Sequence, residues 1–274
     1  VKNLLAKYPG AAPAAAALSE IAAHLWQKGW AERNAGNLSV DVTEAIPRSK
    51  AAKGGPAIPL AAAYPALAGR YFLTTGTGRR FRDVPGDPSG NVCLLRLSDD
   101  GASYRIVWGG ADDARFRPTS EFPAHLRVHE FLRETAAPER VVLHTHPTEL
   151  IALTHLTEYR GEAKLNRALF AIHPEVRVCV ARGVGYVPYV LPGSEALAQA
   201  TVAALRRGHG VALWEMHGCV AVGVTAAEAF DAIDTLNKGA QIILLCRAAG
   251  REPHGLTQKQ LRELERAFNL PDCS

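Results

Sequence analysis

Two periodicities divide this chain. From Ala11 to Ala23 apolar residues recur at helical spacing, broken by Ser19 and Glu20, which predicts an amphipathic first helix. At Leu38-Ser39-Val40-Asp41-Val42 the pattern becomes a strict alternation and predicts a short strand. Short apolar runs predict further strands over residues 71–75, 92–97, 104–108, 141–146, 176–181, 211–214 and 219–222. Helical spacing returns over 119–133, 148–156, 162–170, 194–207, 226–249 and 258–268. Several strands follow one another through short turns before helices begin to alternate with them. The expected architecture is therefore α/β, with a mixed, mostly antiparallel central sheet covered by helices on both faces, and not a regular doubly wound sheet. Residues 44–69, rich in Ala, Pro and Gly, predict an irregular excursion within one domain spanning 1–274.

Composition narrows the classes of function. A chain of 274 residues can bury a sizeable core. Its net charge of +4 comes with no dense Lys/Arg tract, which argues against nucleic acid as a partner and leaves small anionic substrates compatible. The five cysteines, Cys93, Cys179, Cys219, Cys246 and Cys273, are odd in number and lack Cys-x-x-Cys spacing, which predicts reduced thiols in a cytoplasmic protein. The Ala-rich start does not read as a signal sequence, because Ser19, Glu20 and His24 interrupt it and Trp26-Gln27-Lys28-Gly29 is no small-residue cleavage site. No apolar run approaches the length that crosses a bilayer, so no membrane association is expected.

The chemistry concentrates in Val141-Val142-Leu143-His144-Thr145-His146-Pro147. Residues two apart on a strand face the same way, so His144 and His146 can hold one ion from a rigid support, with Pro147 ending the strand behind them. By itself such a pair also suits a polar strand end. A third histidine, His217, closes a second apolar run in Trp214-Glu215-Met216-His217-Gly218. Three neutral imidazoles with an open position make a common catalytic zinc shell, whereas closed structural sites need four ligands. Pro118-Thr119-Ser120-Glu121 opens a helix, and on its own it reads as helix capping, with Thr119 or Ser120 accepting a backbone hydrogen bond and Glu121 at the positive end of the dipole. The same geometry offers hydroxyls and amides to a phosphate and an acid to a metal site. His125 and His129 follow Glu121 at intervals of four and read as packing or supporting groups. Thr74-Thr75-Gly76-Thr77-Gly78 is a tight turn whose glycines let backbone amides approach an anion. Asn34 and Asn37, beside Gly36, are turn caps or donors to anionic oxygen.

Taken together and in this order, Arg33-Asn34-Ala35-Gly36-Asn37, Thr75-Gly76-Thr77-Gly78, Pro118-Thr119-Ser120-Glu121, His144-Thr145-His146-Pro147 and Trp214-Glu215-Met216-His217-Gly218 resemble the motifs of the class II aldolase/adducin family. The resemblance runs from Trp26-Gln27-Lys28-Gly29-Trp30 to the final helix. Finer features are similar to its bacterial ketose-1-phosphate aldolases: the insertion before Tyr71, Ala124-His125, and Arg182-Gly183-Val184-Gly185 followed by Pro188 and Leu191-Pro192-Gly193.

The resemblance implies a three-layer fold and reversible cleavage of L-rhamnulose 1-phosphate to dihydroxyacetone phosphate and L-lactaldehyde. It implies one zinc per chain held by His144, His146 and His217, acting as a Lewis acid without a Schiff-base lysine. Glu121 matches the family's acid/base. Asn34, Asn37, Thr77, Gly78, Thr119 and Ser120 match phosphate-anchoring positions. Glu175, which the residues alone give as a solvated loop charge, matches an acid supplied by a neighbouring subunit, and the implied assembly is a four-fold symmetric homotetramer. Relatives of the same fold cleave L-fuculose 1-phosphate, epimerise L-ribulose 5-phosphate or dehydrate sugar phosphates. An adducin-like scaffold would not need the histidines and Glu121 together. Two departures stand out: Ala35 replaces a glycine common in the first phosphate motif, and Arg79-Arg80 adds charge after the glycine turn.

Overall fold

The computed structural model describes residues 7–47, 54–110, 113 and 115–271. Its strands are β1 (Asn37–Asp41), β2 (Ile58–Pro59), β3 (Tyr71–Thr75), β4 (Val92–Leu97), β5 (Ser103–Gly109), β6 (Val141–Thr145), β7 (Val184–Val187), β8 (Val211–Trp214) and β9 (Gly218–Gly223). They form one sheet in the order β2-β5-β4-β3-β1-β6-β9-β8-β7. All neighbours pair antiparallel except β7 and β8, which run parallel. The helices are α1 (Ala12–Gln27), α2 (Pro88–Asn91), α3 (Phe122–Glu134), α4 (Thr148–Thr154), α5 (Glu162–Ile172), α6 (Pro174–Cys179), α7 (Glu195–Arg206), α8 (Ala226–Ala248) and α9 (Gln258–Ala267). None among the described residues is long and apolar enough to cross a membrane.

Alternation along the strands sorts the core into two layers. On one face Leu38, Val40, Leu143, Leu213 and Ala221 pack with Leu18 and Leu25 of α1 and Ile233 and Leu236 of α8. On the other, Val142, Val220 and Val222 pack with Val128 and Leu132 of α3 and with Leu197 and Leu205 of α7. Phe72 and Leu95 continue that second face toward Phe122 and Leu126. Each fully buried leucine contributes about 2 kcal/mol of transfer free energy, which makes both sheet faces costly to leave uncovered. The helices therefore bracket the sheet in three layers, as expected. Their starts follow local chemistry: Ser194, Thr225 and Thr257 each accept a hydrogen bond from the backbone N–H three residues on.

Two stretches depart from the sequence reading. Residues 176–181 alternate β-branched and polar positions like a strand, but the chain there forms α6. Pro174 at its first turn favours a helix start, and the side chain of Arg177 is fully buried, donating to Glu265 (3.0 Å), to the carbonyl of Ala181 (2.9 Å) and to that of Pro271. Val176 packs where Gly239 of α8 lacks a side chain, a Cβ there lying 3.1 Å from Val176 Cγ2. The strand of this region is β7, a few residues later. The segment expected to be irregular, 44–69, also lays Ile58–Pro59 along the sheet edge as β2 and buries Tyr64 and Leu67 against Phe72 and Phe122. Of the cysteines, Cys93, Cys179, Cys219 and Cys246 are unpaired, and Cys273 lies outside the described residues.

Candidate metal centre

Antiparallel pairing places Asn37 of β1 directly beside His144 of β6. His144 is 2 % exposed, and His146 follows just past the strand end. His217 arrives from the three-residue turn between β8 and β9, where Met216 takes a left-handed φ of 59° and its N–H donates to Thr154 Oγ1 at 2.9 Å. Gly218 lets the rings meet. A Cβ there would lie 2.6 Å from the carbonyl oxygen of Thr145 and 2.9 Å from His146 Cδ2. The three imidazoles form a near-equilateral triangle, with ring centroids 5.1, 5.1 and 5.2 Å apart. One ligand atom from each lies within 4.8 Å of the others, and among the described residues this is the group of three or more His, Cys, Asp and Glu side chains able to hold an ion.

The residues fit a metal. His144 Nδ1 donates to the carbonyl of Cys219 at 2.9 Å, and His146 Nδ1 donates to the Glu32 carboxylate at 2.7 Å. Both bonds leave Nε2 as a lone-pair donor, the usual arrangement for a metal-binding histidine. The buried Nδ1 of His217 has no hydrogen-bond partner, a deficit that an ion ligated through that nitrogen would remove. Burial holds the His144 imidazole well below its usual range, with His146 and His217 adding to the effect. Burial likewise lowers His217, then His146, against the opposing pull of Glu121 and Glu32. Neutral imidazoles are what a divalent cation needs. Trp214 stacks on two of the rings, 4.5 Å from His144 and 4.9 Å from His217.

Glu121 stands at the start of α3, its side chain 16 % exposed and its Oε2 3.7 Å from His144 Nε2. Asn37 Nδ2 donates to that same oxygen at 2.7 Å. Thr119 is part of the turn before the helix, and its hydroxyl accepts the Glu121 N–H at 3.4 Å. Backbone bonds stitch the glycine turn to this segment: Thr119 N–H to Thr75 O (2.8 Å) and Thr77 N–H to Arg117 O (3.0 Å). Gly76 permits the approach, since a Cβ would meet Phe116 Cζ at 2.4 Å. The Leu38 N–H donates to Thr75 Oγ1 at 3.2 Å, tying β1 to the same place. Exposed Thr77, Gly78 and Ser120 and buried Thr119 thus share one rim with Asn37. Asn34 is exposed in the turn before β1, and Gly78 takes a left-handed φ of 67°. Arg79 is held 3.6 Å from Asp113 and over the Phe116 ring. Glu175 is not gathered into the cluster: it is exposed in the first turn of α6, accepting from Cys179 Sγ at 3.6 Å.

Four supporting groups lie outside the motifs' assigned roles. Ser39 shares the Asn37 face of β1 and was accessible from the two-residue period. Trp214 precedes His217 in its own motif. Glu32 and Thr154 carry no local signal, because their contacts with His146 and Met216 span 114 and 62 residues.

Comparison with known proteins agrees with this geometry. Residues 16–244 match the family model "Class II Aldolase and Adducin N-terminal domain". A rhamnulose-1-phosphate aldolase of Bacteroides thetaiotaomicron is 40% identical over 279 residues, covering 99% of this chain and all of that one. A rhamnulose-1-phosphate aldolase of Klebsiella pneumoniae is 37% identical over 249 residues, covering 89% of each. The crystal structure of a sugar-phosphate aldolase from Thermotoga maritima superposes with a TM-score of 0.74 at 36% identity, covering 86% of this chain and 95% of that one. Sequence, fold and histidine triangle converge, and the chain belongs to the class II aldolase and adducin family.

Proposed function

We propose that this chain is a zinc-dependent rhamnulose-1-phosphate aldolase, cleaving L-rhamnulose 1-phosphate reversibly to dihydroxyacetone phosphate and L-lactaldehyde. The observation that carries the reading is the Glu121 carboxylate held 3.7 Å from one apex of a triangle of three histidines. The names of relatives at 37–40% identity support the substrate. His144, His146 and His217 would hold one zinc, which supplies Lewis-acid stabilisation of the charge that develops as the carbon–carbon bond breaks.

The chain's own groups do the rest. Glu121, fixed by Asn37, exchanges a proton with the carbon that becomes nucleophilic, giving it up or taking it back according to direction. Asn34, Thr77, Gly78, Thr119 and Ser120 receive the phosphate through hydroxyls, an amide side chain and backbone N–H groups. Asn37 keeps one Nδ2 hydrogen for the same anion while the other bonds Glu121. Glu175, exposed on α6, is the acid that one subunit presents to its neighbour's aldehyde half in a cytoplasmic homotetramer. The test is a coupled assay for dihydroxyacetone phosphate with L-rhamnulose, L-fuculose and L-ribulose 1-phosphates, with and without chelator. Release should be fastest from L-rhamnulose 1-phosphate, vanish with chelator and return with zinc. Undiminished cleavage by metal-free protein, or a clear preference for another ketose, overturns the assignment.

A further inference from the structure

From Glu121 into the interior, polar side chains form a continuous row of hydrogen bonds with a single direction. An ionised carboxylate only accepts, so Asn37 Nδ2 donates to Glu121 Oε2. The Asn37 amide then turns its oxygen to His125, and that oxygen also only accepts, so His125 carries its proton on Nε2. His125 Nδ1 is left as an acceptor and takes the Ser39 hydroxyl proton at 2.7 Å. The Ser39 oxygen accepts in turn from His129 Nε2 at 2.8 Å. Every donor from His129 through Ser39 and His125 to Asn37 points toward Glu121.

These groups are deeply buried: Asn37 is 6 % exposed, Ser39 0 %, His125 3 % and His129 2 %. Phe72 and Phe122 pack close by, with the Phe72 ring centroid 4.9 Å from that of His129. Apolar residues of similar shape can fill such a space at little or no loss of stability, so filling space does not explain a hydrogen-bonded polar row. Orientation does. A carboxamide has two nearly isosteric poses, and the flipped one would set Asn37 oxygen against Glu121 oxygen. The proton on His125 Nε2 selects one pose, and Ser39 and His129 select the tautomer of His125.

We propose that Ser39, His125 and His129 are positioning residues that lock the Asn37 amide with its NH2 toward Glu121 and so fix the carboxylate beside the metal-binding triangle. The proposal deepens the reading of Glu121 as the proton-transfer group and rests on it for its kinetic consequence.

The experiment uses the zinc-loaded enzyme with L-rhamnulose 1-phosphate and the variants S39A, H125L, H125Q and E121Q. S39A and H125L should keep one zinc per chain while kcat falls by about tenfold or more, the scale of a misplaced catalytic group, and KM rises by no more than about tenfold because a turned Asn37 also withdraws its second N–H from the phosphate. H125Q retains an N–H donor toward Asn37 and should recover kcat to within about threefold of wild type. Neutron diffraction on the wild-type holoenzyme should find the deuteron on Nε2 of both His125 and His129. Equal kcat for H125L, H125Q and wild type at full zinc occupancy, with only thermal stability changed, overturns the proposal. If H125L does not fold, S39A, which removes a single oxygen, decides the same point. Should E121Q turn over at the wild-type rate, the reading of Glu121 fails separately. The neutron map then decides alone: Nε2 deuterons on both rings uphold the lock, and an Nδ1 deuteron on either ring refutes it.

Discussion

Acid is a direct probe of the buried row behind Glu121. Burial drives the His125 pKa down to about 3, with the nearby His129 adding to the effect, and burial takes His129 down to about 4. In the unfolded chain each ring titrates near 6.5. The folded state therefore favours the neutral ring, and the unfolded state binds more protons throughout the interval between the two values. Stability from this source is intact above pH 6.5 and is lost as pH falls toward 3 for His125 and toward 4 for His129. At about pH 4.5 the unfolded His125 is protonated and the folded one is not. A drop of roughly two units below 6.5, at about 1.4 kcal/mol per unit, costs about 3 kcal/mol for this ring alone. The substitution H125Q removes the titrating group while keeping an amide donor. Urea unfolding of wild type and H125Q, at about pH 7 and pH 4.5, with chelator present and equal protomer concentrations, isolates the difference from all other acid effects. Wild type should lose about 3 kcal/mol more than H125Q between the two conditions. Equal losses would mean that His125 takes up its proton as readily in the folded protein as in the unfolded chain, and the neutral, acceptor role of its Nδ1 would be refuted.

Other perturbations test separate parts of the site. Gly218→Ala places a Cβ 2.6 Å from the Thr145 carbonyl oxygen and should separate the rings; metal analysis should find well below one zinc per chain, and full occupancy would contradict the close-approach argument. Glu32→Gln weakens the acceptor that orients His146, so zinc affinity in a chelator competition should fall by about tenfold to a hundredfold, and unchanged affinity would reduce that contact to a surface pair. Arg177→Met leaves the Glu265 carboxylate and two carbonyls without their donor and should cost about 3 kcal/mol or more in urea unfolding; a loss under about 1 kcal/mol would show that α6 does not depend on it.

The legible parts of this protein were those whose signal is local. The strand ending in His144-Thr145-His146 announces itself by apolar run, two-residue period and closing proline, and it lies in the sheet as β6 with its histidines at the site. The sheet's mixed character followed from strand succession, and its single parallel pair, β7 with β8, sits where helices intervene. Residues 176–181 misled because propensity favoured a strand while the outcome was set by remote partners: Glu265 and Pro271 for Arg177, and Gly239 for Val176. His125 and His129 were legible as supporting groups by their spacing from Glu121. What they support was not, because it depends on Ser39 standing opposite α3, and a serine in an alternating strand carries no chemical signature of its own.

Two sets of contacts that meet at the Glu121 carboxylate explain why the metal motif and the buried row belong to one device. In the first the imidazoles of His144 and His146 have their Nδ1 protons committed, to the Cys219 carbonyl and to Glu32, so their lone pairs at Nε2 are fixed in direction before any ion arrives. In the second His125 has its Nε2 proton committed to Asn37, and the amide in turn commits its N–H to Glu121. His144 and the row from Asn37 to His129 cannot reorganise cheaply, since they are buried and a flip would leave a donor facing a donor or an acceptor facing an acceptor. The Glu121 carboxylate is oriented by Asn37, yet at 3.7 Å from His144 Nε2 it makes no hydrogen bond to the ring. In the proposed function, Glu121 exchanges a proton with a carbon placed at the triangle. That proposed role needs a carboxylate of fixed geometry beside the triangle, and β1 supplies it because Asn37, its first residue, pairs with His144 across the sheet while Ser39, two residues on, reaches α3 from the same face.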